Sequence, residues 1–150
     1  MAKANFSPAP EVKEIAEQLI PKFHGHLKDF SVRIEYVFID KIPKKGGKEV
    51  WGYVQKVTNL NAFLAKDNPD SDPFFVMVIS SPIWEILSKN GKTALVDHEL
   101  CHCGAKLQEK EEESVVKLYL IPHDLEEFNA INRRYGLWQD EVNREEPEEK

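Results

Sequence analysis

The chain has 150 residues, 41% of them hydrophobic, a size and composition typical of one folded domain with a sizeable core. No apolar run approaches the roughly 20 residues of a membrane span, and Met1 to Glu11 lack the apolar core of a signal peptide. The net charge of −6 argues mildly against nucleic acid as a partner, without excluding it. Cys101 and Cys103 are too close together to cross-link distant segments, so we expect reduced thiols in a cytoplasmic protein.

The first half of the chain predicts one helix followed by strands. Hydrophobic residues recur at helical spacing in the first segment, whereas the later segments alternate or are continuously apolar, as strands are. In chain order we expect a flexible N-terminus at 1–10, a helix at 11–26 interrupted by Pro21, and strands at 32–39, 50–57 and 74–79. The lysine-rich segment 41–48 predicts a turn, so we expect the first two strands to be antiparallel.

The second half alternates helices and strands around a histidine motif. We expect a short helix at 82–87, a loop at 90–93 ending in a capping Thr93, a motif helix from Ala94 to Leu107, a strand at 115–121 and a last helix at 125–135 closed by Gly136. These elements predict a single α+β domain over 11–138, with a small, mainly antiparallel sheet of about four strands. The acid-rich segment 139–150 predicts a disordered tail.

The motif is His-Glu-x-x-His, formed by His98, Glu99 and His102. Four residues of an α-helix advance about 400°, so the two histidines point the same way and can reach one Zn²⁺ at roughly 2.0–2.1 Å. Glu99 is rotated about 100° from His98 and can reach a zinc-bound water without being a ligand. Zinc lowers the pKa of such a water towards about 7, and the glutamate can transfer its proton to a leaving amine. The motif predicts a zinc-dependent hydrolase, most simply a peptidase.

A catalytic zinc typically has three protein ligands and one open position, so a third ligand is needed. We favour His123, at the junction of the last strand and the last helix, and keep Glu126 and Glu127 as alternatives. Asp124 could cap the last helix or accept a hydrogen bond from a ligating histidine. His24 and His26 lie far upstream, and we interpret them as surface or helix-end residues.

The chain resembles the putative phage metallopeptidase domain family. The resemblance rests on Ala94–Cys103, Pro122–Phe128 and Arg133–Gly136, with further likeness at Lys45–Lys48, Ala62–Leu64 and Ile83–Trp84. It covers roughly residues 32–138 and implies a zincin without naming a substrate. A looser similarity to SprT-like proteases implies that His123 completes the site, although the gap from His123 to Phe128 is one residue longer than expected.

Residues around the motif receive simpler interpretations. Cys101 is expected to be a small buried residue and Cys103 a core residue. Asp97 is interpreted as a solvated acid. Arg133, Arg134 and Tyr135 could supply a donor to an oxyanion, but cations that favour the helix end are the more ordinary interpretation.

Three hypotheses for function follow. The first is a zinc peptidase in which the strand 74–79, if it lies at a sheet edge, binds a peptide or protein substrate as an added strand. The second is a SprT-like protease that acts on DNA-associated proteins. The third is a non-catalytic zinc-binding module in which Glu99 is only structural.

Overall fold

A computed structural model describes residues 5–57, 73–110, 113–122 and 135. Within these ranges the fold is a mixed α/β arrangement of four helices and eight strands. In chain order the elements are β1 Phe6–Pro8, α1 Pro10–Phe23, α2 Gly25–Asp29, β2 Ile34–Ile39, β3 Lys44–Lys45, β4 Lys48–Glu49, β5 Gly52–Val57, β6 Phe74–Ser80, α3 Ser81–Ile86, α4 Lys89–Cys101, β7 Cys103–Lys110 and β8 Glu113–Leu120. None of the described helices is long and apolar enough to cross a membrane.

The main sheet has four strands in the order β1-β2-β6-β5, so β6 lies inside the sheet. β6 pairs parallel with β2, with Val37 opposite Val78, and antiparallel with β5, with Tyr53 opposite Val78. The strands expected at 32–39 and 50–57 do run antiparallel, as predicted, but β6 lies between them and they do not pair with each other. The continuously apolar sequence of β6 agrees with a strand that is covered on both faces and paired on both sides.

The fourth strand of this sheet is β1, from a segment that the sequence analysis assigned to the flexible N-terminus. It pairs antiparallel with β2, and the Asn5 side chain and backbone both donate to the Asp40 carboxylate at 3.0 Å. These donors hold the pKa of Asp40 below its usual range, chiefly through the backbone hydrogen bond. The strand predicted at 115–121 does form, as β8, but it belongs to a separate hairpin with β7.

The predicted helix at 11–26 divides into α1 and α2, and the break comes at His24 rather than at Pro21. Pro21 lies within the last turn of α1. The α1 helix packs its buried residues Val12, Ala16 and Leu19 towards the sheet and α4. The corner between α1 and α2 thereby comes to lie beside the end of α4.

The α4 helix is the best-buried element, since every residue from Ala94 to Leu100 is buried. It begins earlier than expected, at Lys89, because the Ser88 hydroxyl accepts from the Gly91 amide at 3.1 Å and caps the first turn. Thr93 is not a cap; its hydroxyl donates to the Lys89 carbonyl within the helix.

The α4 helix also ends earlier than expected, at Cys101 rather than near Leu107. The eight residues from Cys103 pair with the β-branched and aromatic residues of β8, and this ladder outweighs the helical period of the sequence. Gly104 permits the tight start of the hairpin, because a Cβ there would lie 2.5 Å from the Tyr119 ring. Leu107, predicted to be the last residue of the motif helix, is instead a residue of β7 and is 58% exposed.

Candidate metal centre

The α4 helix carries His98 and Glu99 in its last turn, and His102 is the first residue after it. The backbone of His102 is still helical, with φ −75° and ψ −16°, and its amide donates to the Glu99 carbonyl at 3.1 Å. The spacing of four residues therefore places both imidazoles on one side of the helix end, as the sequence predicts.

The three motif residues form a compact group. One donor atom from each of His98, Glu99 and His102 can be chosen so that all three lie within 4.8 Å of one another. The two imidazole centroids are 5.2 Å apart, and His98 Nε2 lies 3.8 Å from Glu99 Oε2. His98 and Glu99 are only 7% and 2% exposed. A buried His98, a half-buried His102 and a buried carboxylate beside them form a donor set suited to a divalent transition metal.

The orientation of His102 is set by the residue that follows β8. His102 Nδ1 donates to the Ile121 carbonyl at 2.7 Å, and the Ile121 amide donates to the His102 carbonyl at 2.9 Å. A ligating histidine in proteins usually donates its other ring N–H in this way, which fixes both tautomer and ring orientation. The contact uses Nδ1, so Nε2 is the nitrogen through which His102 would bind a metal.

Glu99 lies against the edge strand β5. A Cβ added to Gly52 would lie 3.3 Å from Glu99 Oε2 and 2.8 Å from Ile79 Cδ1. A glycine at this position allows the backbone of β5 to approach the carboxylate closely. The sequence analysis did not single out Gly52; a glycine inside a predicted strand is the signal that could have identified it.

A second group of donor atoms lies on a neighbouring face of α4, formed by His24, Asp97 and Cys101. His24 Nε2 lies 2.5 Å from Asp97 Oδ1, and the Tyr135 hydroxyl donates to Asp97 Oδ2 at 3.0 Å. Two nitrogen or oxygen ligands of a tetrahedral zinc are about 3.3 Å apart when each bond is about 2.0–2.1 Å. The contact between His24 and Asp97 is therefore a hydrogen bond, and we assign this group to a buried polar network.

This network corrects the sequence interpretation of Asp97, which is fully buried rather than solvated. His24 lies at the end of α1, as one of the two expected interpretations states, but it is only 3% exposed. Tyr135, considered above as a donor to an oxyanion, donates its hydroxyl to Asp97 Oδ2 in this structure. His26 is half-buried, and its Nε2 donates to the Cys103 carbonyl at 2.8 Å.

The two cysteines differ in their surroundings. Cys101 is half-buried, whereas Cys103 is fully buried and places its Sγ 3.8 Å from the Glu99 carbonyl. Burial raises the pKa of the Cys103 thiol well above its usual range, and the charge of Glu99 raises it further. Cys103 is thus a neutral core residue, as expected from the sequence, and not a nucleophile.

Several candidates from the sequence lie outside the described residues. These are the candidate third ligands and their neighbours, together with the last helix and the acidic tail: His123, Asp124, Glu126, Glu127, Arg133, Arg134, 125–134 and 136–150.

A comparison with protein families matches this chain to the model described as putative phage metallopeptidase, over residues 4–145. The chain belongs to this family. Membership confirms the family predicted from the motif, and a metallopeptidase of this family requires a metal ion and a peptide or protein substrate. No curated protein and no solved structure matches the chain. A metallopeptidase needs a group of side chains that can hold a metal ion. Within the described part of the chain, His98, Glu99 and His102 form such a group, since their donor atoms lie within 4.8 Å of one another.

Proposed function

We propose that the protein is a zinc-dependent peptidase with a zincin-like domain over residues 11–138. The observation that carries the proposal is the pair of imidazoles at the end of α4, with His102 Nδ1 engaged by the Ile121 carbonyl at 2.7 Å. His98 and His102 would hold the zinc ion. Zinc suits this donor set because it is commonly bound by imidazole nitrogen and carboxylate oxygen and needs no rigid geometry from the ion itself.

We propose His123 as the third ligand, with Glu126 and Glu127 as the alternatives. Support comes from Ile121, whose carbonyl accepts from His102 Nδ1 and whose amide donates to the His102 carbonyl. His123 follows Ile121 by two residues, and two residues of chain span at most about 7 Å. The hairpin β7–β8 therefore delivers the chain beside the metal-binding histidines just before His123.

Glu99 is proposed as the general base. When bound, zinc would lower the pKa of a coordinated water towards about 7 and polarise the substrate carbonyl. The distance of 3.8 Å between Glu99 Oε2 and His98 Nε2 supports a role for this carboxylate as the proton acceptor there. The same carboxylate would then give that proton to the leaving amine, so that protons balance over the hydrolysis.

The place of substrate binding differs from the expectation. The strand at 74–79 is paired on both sides and offers no edge to a peptide. Among the described strands, β5 is the outermost on this side of the sheet, and its first residue, Gly52, adjoins Glu99. We propose that an extended substrate segment lies along the β5 edge, where main-chain hydrogen bonds would align its carbonyl with the site.

Metal analysis combined with a peptidase assay tests the proposal. We expect about one zinc per chain in the wild type, loss of zinc in His98→Ala, and cleavage of unstructured protein substrates such as casein. Glu99→Gln should keep its zinc and lose roughly 10²–10⁴-fold in rate, the contribution of a general base. A folded wild type without metal would overturn the proposal. Equal cleavage by wild type and Glu99→Gln would remove Glu99 from the mechanism, and cleavage by neither would favour the non-catalytic module.

A further inference from the structure

The corner between α1 and α2 contacts both flanks of the motif. His24 Nε2 donates to Asp97, the residue before His98, at 2.5 Å. His26 Nε2 donates to the carbonyl of Cys103, the residue after His102, at 2.8 Å. Two histidines separated by one residue thereby hold the two residues that bracket the segment His98–His102.

The contact between His24 and Asp97 is buried, which makes it strong and hard to replace. The side chain of His24 is 4% exposed and that of Asp97 is 0% exposed. A carboxylate without water needs protein donors, and Asp97 receives one from His24 and another from Tyr135. Hydrogen bonds that involve charged groups in such surroundings are stronger than those at the surface.

The end of α4 is the place where such support matters. The α4 helix ends at Cys101 and β7 starts at Cys103, so His102 is the residue that joins a helix end to a strand. Helix ends fray, because their last carbonyl groups lack partners within the helix. A ligand at such a position keeps its distance to His98 only if the chain on each side is fixed.

We propose that His24 and His26 are positioning residues that hold His98 and His102 at the separation needed to bind the metal. His24 acts through the buried Asp97, and His26 acts through the backbone of Cys103. Neither would touch the metal. The inference rests on the proposed zinc site and adds to it the residues that preorganise the two helix-borne ligands.

The zinc affinity of the folded protein tests this inference, measured by competition with a chromophoric chelator. His24→Ala and His26→Ala should each bind zinc about 10–100-fold more weakly, as expected when support of a ligating histidine is lost. His24→Gln, which keeps an N–H donor, should recover part of that affinity. The matched control is Val12→Ala, a fully buried α1 residue remote from these contacts, which should lower the melting temperature and leave zinc affinity unchanged.

A second readout separates positioning from stability alone. In the cobalt-substituted protein, the visible absorption reports the ligand field, so His24→Ala should change the spectrum whereas Val12→Ala should not. If His24→Ala fails to fold, His26→Ala and His24→Gln carry the same comparison.

The outcomes are distinct. Wild-type zinc affinity and cobalt spectra in the folded His24 and His26 variants, together with loss of zinc in His98→Ala, would overturn this inference alone. Zinc affinity in His98→Ala equal to that of the wild type would overturn the proposed site, and this inference with it.

Discussion

Two pairs of histidines meet at the end of α4, and the fold uses them in opposite ways. His24 and His26 each direct Nε2 to an acceptor of the protein, at 2.5 Å and 2.8 Å. His102 instead engages the Ile121 carbonyl through Nδ1 at 2.7 Å. The nitrogen that the protein engages separates His102 from the corner histidines: His24 and His26 tie elements together through Nε2, whereas His102 is held through Nδ1, and its Nε2 is the nitrogen proposed to bind the metal.

The α4 helix repeats this contrast on two neighbouring faces. Asp97 and Cys101 have the same spacing of four residues as His98 and His102. The spacing alone therefore does not make a metal site. The buried hydrogen bonds that reach Asp97 from His24 and Tyr135 turn one face into a structural network.

The largest effect is expected at the third ligand. His123→Ala should weaken zinc binding by more than the roughly 10–100-fold that supporting residues contribute, because a direct bond to the metal is lost. Glu126→Ala and Glu127→Ala serve as matched comparisons and should bind zinc normally. Loss of zinc in one of the glutamate variants, with retention in His123→Ala, would move the third ligand to that glutamate.

A smaller effect is expected at Gly52, on the metal face. In Gly52→Ala the new Cβ would lie 2.8 Å from Ile79 Cδ1, 3.1 Å from the Val78 carbonyl oxygen and 3.3 Å from Glu99 Oε2, so either β5 or these neighbours must shift. Because a displacement of about 1 Å can cost about 10²-fold in rate, the smaller shift needed here should lower kcat by up to about 10-fold, with zinc content unchanged. Gly25→Ala is the control, since a Cβ there meets nothing within 4 Å. Unchanged kcat in a folded Gly52→Ala protein would contradict this assignment.

Two titratable groups, the half-buried Tyr36 and the buried Cys103, lead us to expect that the stability of the protein depends on pH. Burial raises the pKa of both Tyr36 and Cys103, and each is also raised by nearby negative charge. The folded protein keeps these protons to higher pH than the unfolded chain does. The free energy of unfolding should therefore be steady below their ordinary values of 10.0 and 9.0, and should fall as pH rises above them.

Thermal unfolding at about pH 8 and about pH 10.5 measures this effect, since that interval spans the ordinary pKa values of both groups. The double variant Tyr36→Phe, Cys103→Ala should lose less stability across the interval than the wild type. An equal loss in both proteins would assign the alkaline effect to other groups.

The smallest effect is expected at Cys101. Because the network around Asp97 is hydrogen-bonded, Cys101→Ala should keep the same metal content as the wild type, about one ion per chain. Elemental analysis of both proteins decides this. Two ions in the wild type and one in Cys101→Ala would make the His24, Asp97 and Cys101 group a second metal site.

The motif itself could be recognised from sequence because its chemistry is local. His98, Glu99 and His102 lie within one helical turn, so their relative placement follows from helix geometry without any knowledge of the fold. The family follows from the same residues and is confirmed over 4–145. Four of the eight described strands, β2, β5, β6 and β8, were also predictable, since alternation and apolar runs are local patterns.

The errors that bear on the site concern contacts between distant segments. The prediction that the motif helix continues to Leu107 was wrong, because Cys103–Lys110 form a complete hydrogen-bonded ladder with β8. The strand at 74–79 was considered as an edge strand that binds substrate, but as β6 it lies between β2 and β5. No local sequence pattern reveals the order of strands in a sheet.

By itself, the sequence determined the metal-binding motif, its family and the identity of most elements, because each depends on residues close together in the chain. Only the tertiary structure showed which partners these histidines contact across the fold. His24 and Asp97 are 73 residues apart, and His102 and Ile121 are 19 apart. Their hydrogen bonds exist only once the sheet, the corner and the hairpin are packed around α4.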